Sequence, residues 1–397
     1  MSTTAAGTPL STPATPLPRA RRALAGAGLA HALHDGYTDM IYVLLPVWQA
    51  EFGLGYGALA ALRGLYTGAM AALQVPAGRL AERLGARAVL VAGTLLAALG
   101  YALAGFSGGL AGLGAALAVS GAGSAAQHPL ASAAVSRAYG AKARGPLGTY
   151  NFTGDLGKAA LPALLALLLA AMPWRPALWL LAAFGALTAV AVRALVPDTG
   201  GPAEPAAAKP GRGGGRGGFG LLLAIGVLDS GVRMGFLTFL PFLLGAKGAD
   251  LPLVGMAFTL VFLGGATGKF ACGWLGARLG LLRTVLATEA GTAVAVLAVI
   301  ALPLAPALAL LPVLGAALNG TSSVLYGTVP ELAPGGRTER AFALFYTGTI
   351  GSGAVSPVLY GVLGDLAGPN WGAAAAAGAA LLACPLALLL APRLRAR

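Results

Sequence analysis

The chain has 397 residues and a formal net charge of +13, with 57% of its residues hydrophobic and 10% charged. A soluble domain carries about 25% charged residues, so this composition excludes an ordinary soluble enzyme. With a mean hydropathy of +0.79 and apolar runs that recur at the ~20 residues a span needs, it describes an integral membrane protein. Nothing resembles the ~10-residue alternating strands of a membrane β-barrel.

In chain order, residues 1–22 read as a disordered cytoplasmic tail rich in Ser, Thr, Pro and Ala. The first apolar run is too long for a cleavable leader. Twelve spans follow, over roughly 24–49, 57–78, 87–107, 110–136, 146–171 and 177–196, then 219–245, 252–275, 284–304, 306–330, 341–363 and 371–391. Between the sixth and seventh, residues 198–218 are the one long polar, Gly/Pro-rich interior stretch, which reads as a flexible linker. It separates a six-helix half over 23–197 from another over 219–392, with 393–397 as a second tail. Of 26 Lys and Arg, 20 lie on one alternating set of segments and only Arg175 and Lys247 on the other. This bias puts both termini in the cytoplasm, and a bacterial-type inner membrane is the expected location. The positive charge therefore records topology and not nucleic-acid binding.

The halves are written in tandem. At an offset of 194, Asp35 meets Asp229 and Thr153–Gly157 meets Thr347–Gly351; at 195, Gly78–Gly85 meets Gly273–Gly280. In repeat transporters the substrate site lies near the midplane between such halves.

Polar groups inside spans are costly and therefore candidates for function. In the first span, His31, His34, Asp35, Thr38, Asp39 and Tyr42 fall in a stripe of roughly 140° at helical pitch. Asp35 and Asp39 are expected to carry the proton, with His31, His34 and Tyr37 beside them at the substrate. Arg63 in the second span is a cation available to these acids. His128 follows Gln127 and precedes Pro129; Asn151 and Asp155 lie in the fifth span, with Lys158 placed to pair locally with Asp155. Asp229 and Arg233 stand four apart in the seventh span, and Asn319 lies in the tenth. Lys269 reads as structural, and Glu289 as a side chain snorkelling from a peripheral helix. Cys272 and Cys384 read as small buried hydrophobes. His31, His34, Asp35, Asp39 and His128 are also ligand types for a divalent cation, but Arg63 and Arg233 oppose one, and no resident metal is expected. No Walker-type loop, HExxH or CxxC occurs, so neither an enzyme nor a cofactor is expected.

The segment Gly78-Arg79-Leu80-Ala81-Glu82-Arg83-Leu84-Gly85-Ala86-Arg87 resembles the signature of the major facilitator superfamily, G-x-L-A-D-R-x-G-x-[KR], with Glu82 for the usual Asp. The resemblance implies an all-α fold of twelve transmembrane helices in two pseudo-symmetric halves. It also implies a gating latch from Gly78, Glu82, Arg83, Gly85 and Arg87. His34-Asp35, Gln127-His128-Pro129 and Thr153-Gly154-Asp155-Leu156-Gly157 look most like the fosmidomycin-resistance branch, although Leu130 stands where that branch usually has Glu and Asp155 where Asn is commoner. This resemblance implies a monomeric exporter of a small organic compound, driven by protons through alternating access. The alternatives are a proton symporter importing a small organic anion, and a divalent metal transporter using the first-span cluster.

Overall fold

The structure is a computed structural model describing residues 17–198, 216–335 and 337–395, and it is helical almost throughout. In the first half, α1 is Leu17–Phe52, α2 Tyr56–Leu84, α3 Ala86–Ala104, α4 Leu110–Ser124, α5 Gln127–Tyr139, α6 Arg144–Ala171 and α7 Trp174–Leu195. In the second, α8 is Arg216–Gly245, α9 Leu251–Ala301, α10 Leu304–Leu332, α11 Thr338–Ala367 and α12 Pro369–Arg395. Eight of the described helices are long and apolar enough to cross a membrane. Residues 17–22, expected in the tail, already form the first turns of α1, and α12 extends past 392. Residues 1–16 and most of the expected linker lie outside the described residues.

Two boundaries differ from the sequence reading for local reasons. The stretch expected as one span over 110–136 is interrupted at Ala125 and Ala126, just ahead of Pro129, whose ring removes a helical N–H. Both residues keep right-handed helical dihedrals, so the axis continues from α4 into α5. Conversely, α9 runs 51 residues but holds Gly280 at φ 80°, ψ 168°. Before that glycine α9 lies parallel to α10, with Gly264 against Pro312, Gly268 against Ala316 and Gly276 against Val324. After it the pairing is antiparallel, Thr288 against Thr321 and Gly291 against Ala317. The chain reverses at Gly280. Gly85, its counterpart at offset 195, has φ 86° and ψ 140° and makes the same reversal between α2 and α3. Only glycine adopts this conformation readily, so the repeat is visible in the backbone itself.

The two halves meet toward the face opposite the chain ends. There the Asp365 carboxylate of α11 accepts from the backbone N–H groups of Tyr56, at 2.5 Å, and Gly57, at 3.0 Å, at the start of α2. That position satisfies otherwise orphaned donors and the positive end of a helix dipole. Thr259 of α9 donates to the Ala159 carbonyl of α6 at 2.7 Å. The largest apolar cluster, which includes Tyr42, Trp48, Phe236, Phe239 and Phe258, spans both halves here. Toward the face of the chain ends, the apolar clusters are separate. Phe219, Leu325 and Phe345 belong to one half, and Leu90, Val135 and Tyr150 to the other. The last third of α2, with Val75, Leu80 and Leu84, is exposed. The halves are thus closed on one face and splayed on the other.

On the closed face the Trp174 indole N–H and then the Arg175 guanidinium donate to the Glu51 carboxylate, holding it below the usual carboxylate range. Within the first half, α1 and α6 touch backbone to backbone at Gly157, where a Cβ would lie within 2.6 Å of the Ala32 Cα and closer still to its carbonyl. Such small-residue contacts replace the hydrophobic driving force that lipid removes. Gly157→Ala is expected to destabilise the protein by about 1–3 kcal/mol, the usual cost of overpacking, read as a lowered melting temperature in detergent. An unchanged melting temperature would show that α1 and α6 are not held at this distance.

A candidate proton and substrate site

A cleft of about 420 Å³ opens between the halves, lined by residues of α1, α5, α6 and α9 that include His31, Asp35, His128, Asn151, Asp155 and Lys269. Asp35 is its most heavily engaged carboxylate. Its Oδ2 lies 3.3 Å from His31 Nε2 and 3.2 Å from Lys158 Nζ, and its Oδ1 lies 3.5 Å from His128 Nε2. Gly154 makes room for this group: a Cβ there would stand 2.6 Å from His31 Nε2 and 2.8 Å from Asp35 Oδ2.

The His31 ring fixes the proton count. Its Nδ1 lies 2.8 Å from the Tyr150 carbonyl oxygen, and because a carbonyl can only accept, Nδ1 carries hydrogen. A neutral imidazole would then turn a bare Nε2 lone pair toward Asp35. For Nε2 and Oδ2 to be bonded rather than opposed, a further proton must lie on the imidazole or on the carboxyl. The ring stacks on Tyr150 at 4.2 Å and meets His128 edge-on at 5.1 Å, which fixes its plane.

His34 is differently placed. Its Nε2 lies 3.1 Å from Thr94 Oγ1 and its Nδ1 3.0 Å from Ser124 Oγ. Thr94 donates its own hydrogen to the Leu90 carbonyl, so it accepts from His34 Nε2–H, and Ser124 donates to Nδ1. Both ring nitrogens are satisfied in a neutral tautomer, away from the cleft. Tyr37 is likewise committed to packing: its hydroxyl donates to the Leu181 carbonyl at 2.5 Å, and its own carbonyl accepts from Tyr101.

Asp39 lies one turn beyond Asp35 and pairs with Arg63 Nη2 at 3.3 Å. Arg63 also donates to Thr67 at 2.9 Å and packs 4.6 Å from the Tyr42 ring centroid. Asp155 does not pair with Lys158 as the local spacing suggested. It reaches across the halves to Lys269 at 2.5 Å, leaving Lys158 to Asp35. Lys269, expected to be structural, is therefore part of the cleft, as are Phe152 and Phe270. Asn319 is not: it donates to the Gly315 carbonyl at 3.0 Å and packs on Gly265 between α9 and α10. Arg233 has no carboxylate within 4 Å among the described residues, and its Nε is buried without a partner. Glu289, expected to snorkel, is buried beside Asp229.

His31, Asp35 and His128 each offer a ligand atom within 4.8 Å of the others. A divalent cation bound there would face the Lys158 ammonium on the same carboxylate, so the donor set suits a proton better than a metal. The signature residues lie at the splayed face. Arg87 pairs with Asp198 at 2.6 Å, whereas Glu82 has no ion pair among the described residues. Arg19 and Arg22 reach the Asp198 and Ala194 carbonyls, fixing the start of α1 to the end of α7.

The Major Facilitator Superfamily profile matches residues 27–223 and again 222–397, one match to each half. A bacterial homologue of the human lysosomal transporter Spinster, solved inward-facing and unoccupied, is similar with a TM-score of 0.78 at 15% identity, over 95% of this chain and 98% of that one. A POT family transporter bound to a thioalcohol-conjugated peptide gives 0.77 at 12%, over 94% and 96%. The human organic anion transporter MFSD10 gives 0.63 at 20%, over 93% and 99%. A search of curated protein sequences finds no match.

Proposed function

This chain belongs to the Major Facilitator Superfamily, and we propose that it is a proton-coupled secondary transporter of a small organic compound. Its twelve spans, counting α4 with α5 as one and dividing α9 at Gly280, would rock as two six-helix halves about the cleft. Both termini would lie in the cytoplasm of a bacterial-type inner membrane, and the splayed state would then be inward-open. The direction is export by antiport, as the resemblance to the fosmidomycin-resistance branch implies. The observation that supports the proposal most is the His31–Asp35 contact at 3.3 Å, which is attractive only with a further proton on one partner. Asp35 is the proton carrier; His31, His128 and Lys158 set its charge, and Asn151, Asp155 and Lys269 face the substrate. Lys269 with Asp155 links the halves across the cleft, so a substrate competing for either group would loosen one state.

One observation favours a second reading. Arg233 is a cation without a carboxylate partner, and a bound organic anion would supply one, giving a proton–anion symporter. A thermal-stability screen of the purified protein at pH 6 and pH 8 tests both readings. The panel contains lipophilic cations and neutral drugs, phosphonates and carboxylates, and divalent metals. Stabilisation by an organic compound that changes between the two pH values and is lost in Asp35→Asn is the expected result. Stabilisation by anions that is lost in Arg233→Gln selects the symport reading, and stabilisation by metals alone contradicts both.

A further inference from the structure

The second half carries a buried carboxyl pair that the cleft chemistry does not use. Asp229 of α8 is 5% exposed and Glu289, on the returning limb of α9, is 2% exposed; their carboxyl groups are neighbours, and neither has a cation within 4 Å among the described residues. Two carboxylates are acceptors only and repel each other when both are ionised, so their buried contact is favourable only if the pair holds a proton. Thr321 of α10 stands beside Glu289, and its hydroxyl donates to that of Thr288 at 2.7 Å. From α8, Arg233 faces the pair one turn along, and from α12 the Cys384 thiol faces Glu289.

Two independent observations give this pair a function. The first is its place in the repeat. Shifted by 195 positions, the offset that aligns Gly85 with Gly280, Asp229 and Glu289 fall on His34 and Thr94, which bond each other. Each half thus holds a buried polar contact at one equivalent place. In the first half it is a neutral imidazole on hydroxyls, and in the second it is two acids. The second observation is the local charge balance around Arg233. Away from the span ends stand four cations, Arg63, Lys158, Arg233 and Lys269, and five acids, Asp35, Asp39, Asp155, Asp229 and Glu289. Three acids have their own ion pairs. That leaves Arg233, with its buried unpartnered Nε, opposite two carboxyls. One shared proton makes the set neutral, as the cost of uncompensated buried charge demands.

We propose that Asp229 and Glu289 form a second proton-binding site, holding one shared proton while Arg233 is unoccupied. An anion that neutralises Arg233 removes the balancing charge, and the pair then takes up a second proton. This deepens the transport reading and rests on it for its role in coupling, though not for the presence of the proton.

Infrared spectroscopy of the full-length protein in lipid at pH 8 tests it, because every well-solvated carboxyl is ionised there. A protonated-carboxyl C=O stretch is expected in the wild type, present in Asp35→Asn/Asp39→Asn and absent from Asp229→Asn/Glu289→Gln. Arg233→Gln should raise its intensity about twofold, as loss of the balancing cation leads both acids to protonate. Carboxyl-13C labelling of glutamate or aspartate shifts the band without any substitution and assigns it even if a variant misfolds. No band at pH 8, a band lost with the α1 acids, or one that neither label moves would overturn the proposal. A band behaving as stated in a protein without gradient-driven transport would refute the transport reading and leave the proton site standing.

Discussion

Asp35→Asn is expected to abolish proton-driven transport, a loss of at least about 100-fold, while the protein still folds. Among the described residues, Asp35 is the one carboxylate that meets two imidazoles and an ammonium together. The amide keeps the volume and accepts from Lys158, but it cannot exchange a proton with His31 Nε2. Loading and release would therefore stop even where substrate still binds. Lys158 is partly exposed in the cleft, so water can solvate the ammonium that the substitution strands, which limits the stability cost. Counterflow in proteoliposomes separates the two roles. Exchange without a gradient should survive in part, and gradient-driven accumulation should not. Accumulation at the wild-type rate would remove Asp35 from the coupling role.

The second large effect concerns stability. Arg63 is 1% exposed and Asp39 5%, and they pair with each other inside the first half. Removing one member of a buried pair leaves an uncompensated charge at a cost of about 3–5 kcal/mol, whereas removing both is often nearly neutral. Arg63→Met is therefore expected to lower stability by about that amount, and Asp39→Asn added to it to restore most of the loss. Arg63→Lys should restore less, because an ammonium cannot reach Asp39 and Thr67 together as the guanidinium fork does. Melting temperatures of the wild type, Arg63→Met, Asp39→Asn and the double variant in one detergent form the cycle. Additive losses, with no recovery in the double variant, would show that the pair is not the source of the cost.

Much of this architecture is legible in the sequence because it follows from composition and spacing. Apolar runs mark the helices, the offset near 195 marks the repeat, and the polar stripe of α1 marks a functional face. Spacing cannot say which neighbouring helix fills the space before a polar side chain. His31, Asp35 and Asp39 face the cleft or its ion pairs, while His34, on the edge of the same stripe, meets Thr94 and Ser124 of α3 and α4. Asp155 and Lys158 sit at a spacing that suits a local pair, yet each finds a partner on another helix. The available signal was Gly154 and Gly157, which bring α6 so close to α1 that Lys158 arrives beside Asp35. Glu289 was misread for a similar reason. Its place a few residues into a span suggests a side chain that snorkels, and only the reversal at Gly280 and the return of α9 against α8 and α10 place it beside Asp229. At offset 194 Asp229 seemed the partner of Asp35; its packing matches that of His34.

The measurement closest to the central claim is transport by the purified protein in proteoliposomes under an imposed pH gradient, using a compound taken from the stability screen. The account predicts that the compound accumulates when a gradient is applied, that protons move with it stoichiometrically, and that both fluxes stop in Asp35→Asn. Substrate movement that ignores the gradient, or coupling that persists without the Asp35 carboxyl, would contradict it.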